Sequence, residues 1–175
     1  MKMKINSILL VFIFLFIFIQ KSVAEDLNIV FVDMDRIIAT SNAGKKIQNS
    51  MDKFAKKENQ KFDSIESNLK KKEQEILKQK NIISKEELDK KVKSFQTELS
   101  KLRKEKIEFN RSIIKRNQEA TNKMVNEINK ILTQYASDNS VSLIIQKKNI
   151  IIGKTELDIT PQILKEFNSK VKSID

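Results

Sequence analysis

Along residues 45–135, apolar side chains recur every three or four positions, charged and amide side chains fill the gaps, and proline, glycine and cysteine are absent. That spacing is the period of one helical face. Ile47, Met51, Phe54, Phe62, Ile65, Leu69 and Ile76 predict a long helix over 45–80, with Glu58 and Lys72 as polar gaps in a heptad-like seam. A second seam begins Leu88, Val92, Phe95, Leu99, Leu102, Phe109 and Ile113 and goes on through Ala120, Met124, Ile128, Ile131 and Tyr135. It predicts a helix over 85–135. Between the two, Asn81-Ile82-Ile83 is followed by Ser84-Lys85-Glu86-Glu87. In that capping box Ser84 accepts the Glu87 N–H and Glu87 reaches back, so the chain turns near 81–84. A turn centred near 82 sets Ile76 by Leu88, Leu69 by Phe95, Ile65 by Leu99, Phe62 by Leu102 and Phe54 by Phe109. The expected element is an antiparallel helical hairpin reaching roughly 50–60 Å. A single continuous helix is the rival, and the capping box argues against it.

The flanks change character. Leu27 to Val32 is short and β-branched, the pattern of a buried strand. Asp33 follows as an N-cap for a short helix to about Thr40, and Asp33 with Arg36 reads as a cap plus a local ion pair. Ser41-Asn42-Ala43-Gly44 reads as a break or kink. After the arm, residues 141–145 and 150–152 predict two strands of a β-hairpin around Lys147-Lys148-Asn149. Thr160 as N-cap and Pro161 at the first helical position open a last helix, with Ile163, Leu164, Phe167 and Val171 on one face. Three short strands then make one small sheet, too small to bury much surface alone, so the bases of several chains are expected to share a core. The fold class expected is α+β and mostly helical: a helical hairpin arm (45–135) on a small β-rich oligomerisation base (25–44 and 136–175).

Residues 1–24 carry the marks of a secretory signal peptide. Lys2 and Lys4 precede a charge-free apolar run from Ile8 to Ile19, and Ser22-Val23-Ala24 supplies small residues for cleavage between Ala24 and Glu25. Twelve helical residues span roughly 18 Å, short of the roughly 30 Å hydrocarbon core. Export is expected either way, and an uncleaved anchor is the alternative reading.

Composition narrows the chemistry. The chain has no histidine and no cysteine, which removes the commonest general base, the commonest zinc ligands and every thiol nucleophile. Its two glycines stand apart, so no phosphate-binding loop exists. No catalytic residue, cofactor or metal ligand is expected. Lys+Arg 34 exceed Asp+Glu 23 in the full chain. Residues 45–135 hold 24 basic and 14 acidic residues, whereas the rest of the exported chain holds 7 and 9. The arm is therefore basic and the base is not, which favours acidic surfaces and polymers. The local concentrations Lys70, Lys71, Lys72, Lys85, Lys90 and Lys91 are the candidate contact residues, although such runs are usually solvated helix faces. Glu86–Lys90, Glu87–Lys91, Asp89–Lys93 and Glu119–Lys123 stand acid-before-base at i,i+4, each worth about 0.2–0.5 kcal/mol.

The layout as a whole resembles the Skp/OmpH family of periplasmic chaperones. The residues that carry the resemblance are Val-Asp-Met-Asp-Arg-Ile-Ile at 32–38, Ala-Gly-Lys at 43–45, Tyr-Ala-Ser-Asp-Asn-Ser-Val-Ser-Leu-Ile-Ile at 135–145 and Asp-Ile-Thr at 158–160. The resemblance implies a homotrimer whose bases form a central body and whose arms enclose a cavity. It implies an ATP-independent holdase that keeps unfolded outer-membrane proteins soluble in the periplasm. An acidic membrane or lipopolysaccharide surface is a further partner to consider, but no lipopolysaccharide-binding cluster aligns onto this arm. The other class of function is a structural coiled-coil envelope protein, tethered by an uncleaved N-terminal segment. Nucleic acid would suit the charge, but the export signal counts against it.

Overall fold

The computed structural model describes residues 27–174. The expected signal peptide and the expected cleavage site between Ala24 and Glu25 lie outside them. The chain runs β1 (Ile29–Val32), α1 (Met34–Thr40), α2 (Asn42–Gln79), α3 (Lys85–Asp138), β2 (Leu143–Gln146) and α4 (Thr160–Lys170), with 3₁₀ turns at Lys147–Asn149 and Thr155–Leu157.

β1 and β2 pair in parallel, Ile29 opposite Leu143 and Val32 opposite Gln146. Parallel strands cannot be joined by a tight turn; here the connection is the whole helical hairpin. Ser142 donates its N–H to the Asn28 carbonyl at 2.8 Å where the returning chain meets β1. On the opposite edge of β1, Phe31 forms an isolated parallel bridge with Asp158, and Ile159 donates its N–H to the Phe31 carbonyl at 3.0 Å. β1 is therefore the middle of the sheet, and Val30, Phe31 and Val32 are buried.

The expected second strand of the β-hairpin does not form. The Ile150 N–H closes on the Lys147 carbonyl at 3.0 Å, making the Lys-Lys-Asn turn one of 3₁₀ helix rather than a hairpin. Ile151 and Ile152 are left 99% and 90% exposed. The 3₁₀ turn carries residues 150–152 away from β2, whose outer edge has no strand on it among the described residues, while the second edge of β1 is met by Asp158.

Two further start signals are re-sited by tertiary contacts. Ser41 ends α1 and caps α2, its Oγ accepting the Gly44 N–H at 3.1 Å, so the expected kink shrinks to one residue and Gly44 lies inside the first turn of α2. A Cβ on Gly44 would sit 1.8 Å from the Ile38 carbonyl oxygen; only glycine lets α1 and α2 approach this closely. Ile159, not Thr160, caps α4. The Thr160 hydroxyl is drawn away to accept the Asp33 N–H at 2.8 Å.

The base core gathers Val30 and Val32 of β1, Ile37 of α1, Met124, Ile128 and Ile131 of α3, and Ile163 and Phe167 of α4. The base-proximal end of α3 is thus part of the base as well as of the arm. A second cluster, Phe62 and Leu69 of α2 with Leu102 of α3, lies out along the arm, and Ile65, Phe95, Leu99 and Phe109 pack against it.

The seams meet as expected, but the register is set further along α3. Ile82 and Ile83 both donate to the Gln79 carbonyl, at 2.8 and 3.1 Å, so α2 keeps winding into the turn and the chain reverses at extended Ser84. The Ser84 half of the capping box forms, with Oγ accepting the Glu87 N–H at 3.2 Å. Phe54 meets Phe109 with ring centroids 5.7 Å apart, the pairing expected, but Phe62 also packs edge-on against Phe109 at 5.6 Å. Glu66 reaches Lys106 at 2.6 Å, about two helical turns beyond the position a turn centred on 82 would give it.

α3 ends in a reverse turn of the Schellman type, Val141 donating to the Ala136 carbonyl at 2.9 Å with Ser140 at φ 50°. Glycine holds that left-handed conformation without the steric cost a side chain brings. Ser140→Gly should therefore stabilise the protein by about 1 kcal/mol, and Gly44→Ala should destabilise it by about 3 kcal/mol. Thermal or denaturant unfolding of the two variants checks both signs.

Candidate functional site

The exposed surface of the arm and the polar junction that anchors it are the two places where chemistry can concentrate. The junction is built by the two short motifs at 32–38 and 158–160. Asp33 caps α1, its Oδ1 accepting the Arg36 N–H at 2.9 Å. Its ion-pair partner is Lys147 at 3.8 Å, from the turn after β2, rather than the expected Arg36. The same ammonium lies 3.7 Å from Asp158, so one lysine bridges the carboxylates of both motifs. Asp158 Oδ1 accepts the Thr160 N–H at 2.9 Å, and Thr160 is fully buried. Burial pushes the Asp158 carboxyl up, but its hydrogen bonds with Thr160 and the fields of Lys147 and Arg36 outweigh this and hold it below the ordinary aspartate value. The cluster ties β1, the turn after β2 and the start of α4 together.

On the arm, the six candidate lysines differ in pairing and exposure. Lys72 leaves the exposed set: its Nζ contacts Glu98 across the hairpin at 2.5 Å, and that hydrogen bond holds the Glu98 carboxyl below its ordinary value. Lys90 pairs with Glu86 at 3.1 Å along α3. Lys70, Lys71 and Lys85 are exposed and Lys91 is half-buried. Of the expected i,i+4 pairs only Glu86–Lys90 comes within ion-pair distance; Glu119 turns back to Lys115 at 3.9 Å. Such exposed pairs contribute little to stability.

Sequence reasoning passed over the apolar part of the same surface. Ile107 and Ile114 on α3 are 53% and 58% exposed, and Leu77 and Ile82 near the tip are 61% and 80% exposed. All four lie off the three–four seam, and that mismatch is the signal that would have found them. Ile107 and Ile114 stand seven residues apart among Arg103, Lys104, Arg111 and Lys115, so α3 carries apolar side chains on a basic face. Cations also cover the aromatic seam: Lys106 Nζ lies 5.7 Å from the Phe62 ring, and the Arg116 guanidinium lies 4.7 Å from the Phe54 ring. Among the described residues, no group of acidic side chains is arranged to hold a metal ion, and no helix is long and apolar enough to cross a membrane.

The family model described as outer membrane protein (OmpH-like) matches residues 28–167. The chain belongs to the OmpH-like family. No curated protein sequence matches it. Its fold is similar to the crystal structure of a candidate outer membrane chaperone (OmpH-like) from Caulobacter crescentus CB15, with a TM-score of 0.79, 13% sequence identity, and coverage of 85% of this chain and 88% of that one. At so low an identity the likeness is one of fold. Within that OmpH-like fold the two conspicuous motifs of this chain, at 32–38 and 158–160, have structural roles: they cap, bridge and bury.

The junction has a pH signature. Because the folded-state Asp158 carboxyl titrates below its unfolded value, its contribution to stability is complete above about pH 4 and is lost as pH falls through the folded value. Asp158→Asn should be less stable than wild type at pH 7, and the gap between the two should narrow below about pH 4. Unfolding midpoints measured across that range check the crossover.

Proposed function

We propose that this chain is an ATP-independent periplasmic holdase that binds unfolded outer-membrane proteins and keeps them from aggregating. The observation that carries the reading is the uncovered arm surface, on which exposed isoleucines sit among basic side chains. A holdase needs many weak contacts with little sequence preference. Apolar side chains, lysine stems and charged heads on one surface offer them together. Membership of the OmpH-like family supports the reading, as does the fold shared with a candidate outer membrane chaperone. In this reading residues 1–24 are an export signal and the mature chain works in the periplasm.

Self-association belongs to the same proposal. The base leaves Leu27, Ile29, Leu143, Ile151, Ile152 and Leu157 exposed, and a two-stranded sheet of this size is marginal without further cover. Packing bases together would bury these side chains, and the family resemblance makes the number of copies three. Several arms would then surround one client and raise its local concentration of contacts.

The test is to dilute a denatured outer-membrane β-barrel protein with and without the mature chain. Scattering should fall as the chain is added without nucleotide, and unchanged aggregation at several-fold excess would sink the reading. Ile107→Ser/Ile114→Ser should weaken holding several-fold with little change in melting temperature, because both side chains are exposed. Lys70→Gln/Lys71→Gln should weaken it less, and mainly at low salt. Light scattering of the free chain should return a mass three times that of one copy.

A further inference from the structure

Residues 171–174, which follow α4, lie between two grooves at the junction of arm and base. One groove, about 890 Å³, opens between α3 and this tail. The other, about 480 Å³, opens between the tail, the start of α2 and α3. Lys123, Ser173 and Ile174 line both, so the two are one trough with the tail lying across it. The half-buried Val171 and Ile174 turn inward and pack against the base core, while Lys172 and Ser173 face solvent. The tail is weakly fastened. Beyond the cap it forms on α4, its hydrogen bonds to the rest of the protein, among the described residues, are from Lys46 Nζ to the Lys172 carbonyl at 2.9 Å and a long one of 3.5 Å from Lys172 Nζ to the Asn168 carbonyl.

The trough suits a different occupant better than its own tail. Ile47, Met51 and Ala120 give it an apolar floor. Its rim is mainly cationic: Lys46, Arg116 and Lys123 have no carboxylate within ion-pair distance among the described residues, Lys130 and Lys170 pair with Glu127 and Glu166, and of the two carboxylates that line the grooves, Glu127 and Glu119, the second lies 3.9 Å from Lys115. Into this setting the tail brings a sixth cation, the ammonium of Lys172, which adds to the positive charge of the rim. An extended strand with carboxylates where the tail has Lys172 would fill the same floor and complement the rim.

We propose that residues 171–174 are a displaceable strap over a peptide-binding trough, whose ligand is an extended polypeptide segment carrying apolar side chains flanked by acidic ones. The strap fills the floor when no ligand is present and competes with it when one is. Apparent affinity is then the intrinsic affinity reduced by the fraction of time the strap is open. The proposal goes beyond holding by the arm and uses the proposed function only to name a source for such segments, an unfolded client.

The probe is a short fluorescein-labelled peptide in which valine and glutamate alternate, followed by anisotropy on the full mature chain. It should bind more tightly than its valine–lysine counterpart, and Lys46→Glu/Lys123→Glu should abolish that preference. Val171→Ser/Ile174→Ser should free the trough and tighten binding, by roughly tenfold if the strap is open a tenth of the time. A bis-maleimide bridge between Ser50→Cys and Ser173→Cys should hold the strap down and weaken binding, an arm that does not depend on how well the serine variant folds; the natural chain has no cysteine to interfere. Equal or weaker binding by the serine variant, or binding indifferent to the bridge, overturns the strap. Equal affinity for both peptides overturns the acidic ligand. If aggregation is suppressed while these results go against the trough, the trough fails and the holding activity stands.

Discussion

The parallel pairing of β1 with β2 is the constraint on which the rest of this structure depends. Two four-residue strands lie on either side of an excursion made of α2 and α3, and a parallel connection forces that excursion to leave and return in one sense. Because Phe31 is bridged from its other side by Asp158, β1 is gripped on both edges while contributing three buried side chains to the core. The Asp33–Lys147–Asp158 bridge and the buried Thr160 hydroxyl lock the same place from the polar side. An arm extended by roughly 55 Å acts as a lever on its root, and here polar and apolar contacts converge at the root.

Out along the arm the division of labour is different. The seam is apolar and aromatic, with Phe109 wedged between Phe54 and Phe62, and the ion pairs that cross the hairpin stand at its solvated edges. Exposed pairs gain little free energy in water, so Lys72–Glu98 and Glu66–Lys106 accompany a register that the apolar and aromatic seam sets. The faces turned away from the seam are left to solvent. There the exposed isoleucines of α3 stand among cations such as Arg103, Lys104 and Arg111.

The functional surface was only partly legible in the sequence. Basic clusters are easy to see as runs, which is why Lys70, Lys71 and Lys72 drew attention together. Yet a helix sends neighbours in sequence to different faces, and Lys72 is turned across the hairpin to Glu98 while Lys70 and Lys71 stay exposed. Ile107 and Ile114 escaped notice for the complementary reason: a seam is found by what repeats, and these two are apolar residues outside the repeat. The same holds at the base, where Ile150-Ile151-Ile152 has the composition of a strand but is carried out of the sheet by the 3₁₀ turn at Lys147–Asn149.

What the sequence by itself determined was whatever depends on neighbours a few residues away. The helical period of the arm, the Ser84 start of α3, the Asp33 cap of α1, and the strand character of β1 and β2 are all local, written at spacings of one to four residues and decided by propensity and burial pattern. Tertiary structure decided what depends on distant partners. It set Asp158 against the second edge of β1, left residues 150–152 out of the expected β-hairpin, and turned the Thr160 hydroxyl from its own helix to Asp33. It drew the base-proximal end of α3 into the base core and placed Gly44 where no side chain fits. In each case a buried backbone or side-chain polar group, or a packing surface, could be satisfied in more than one way. Only the assembled base settled which way was taken.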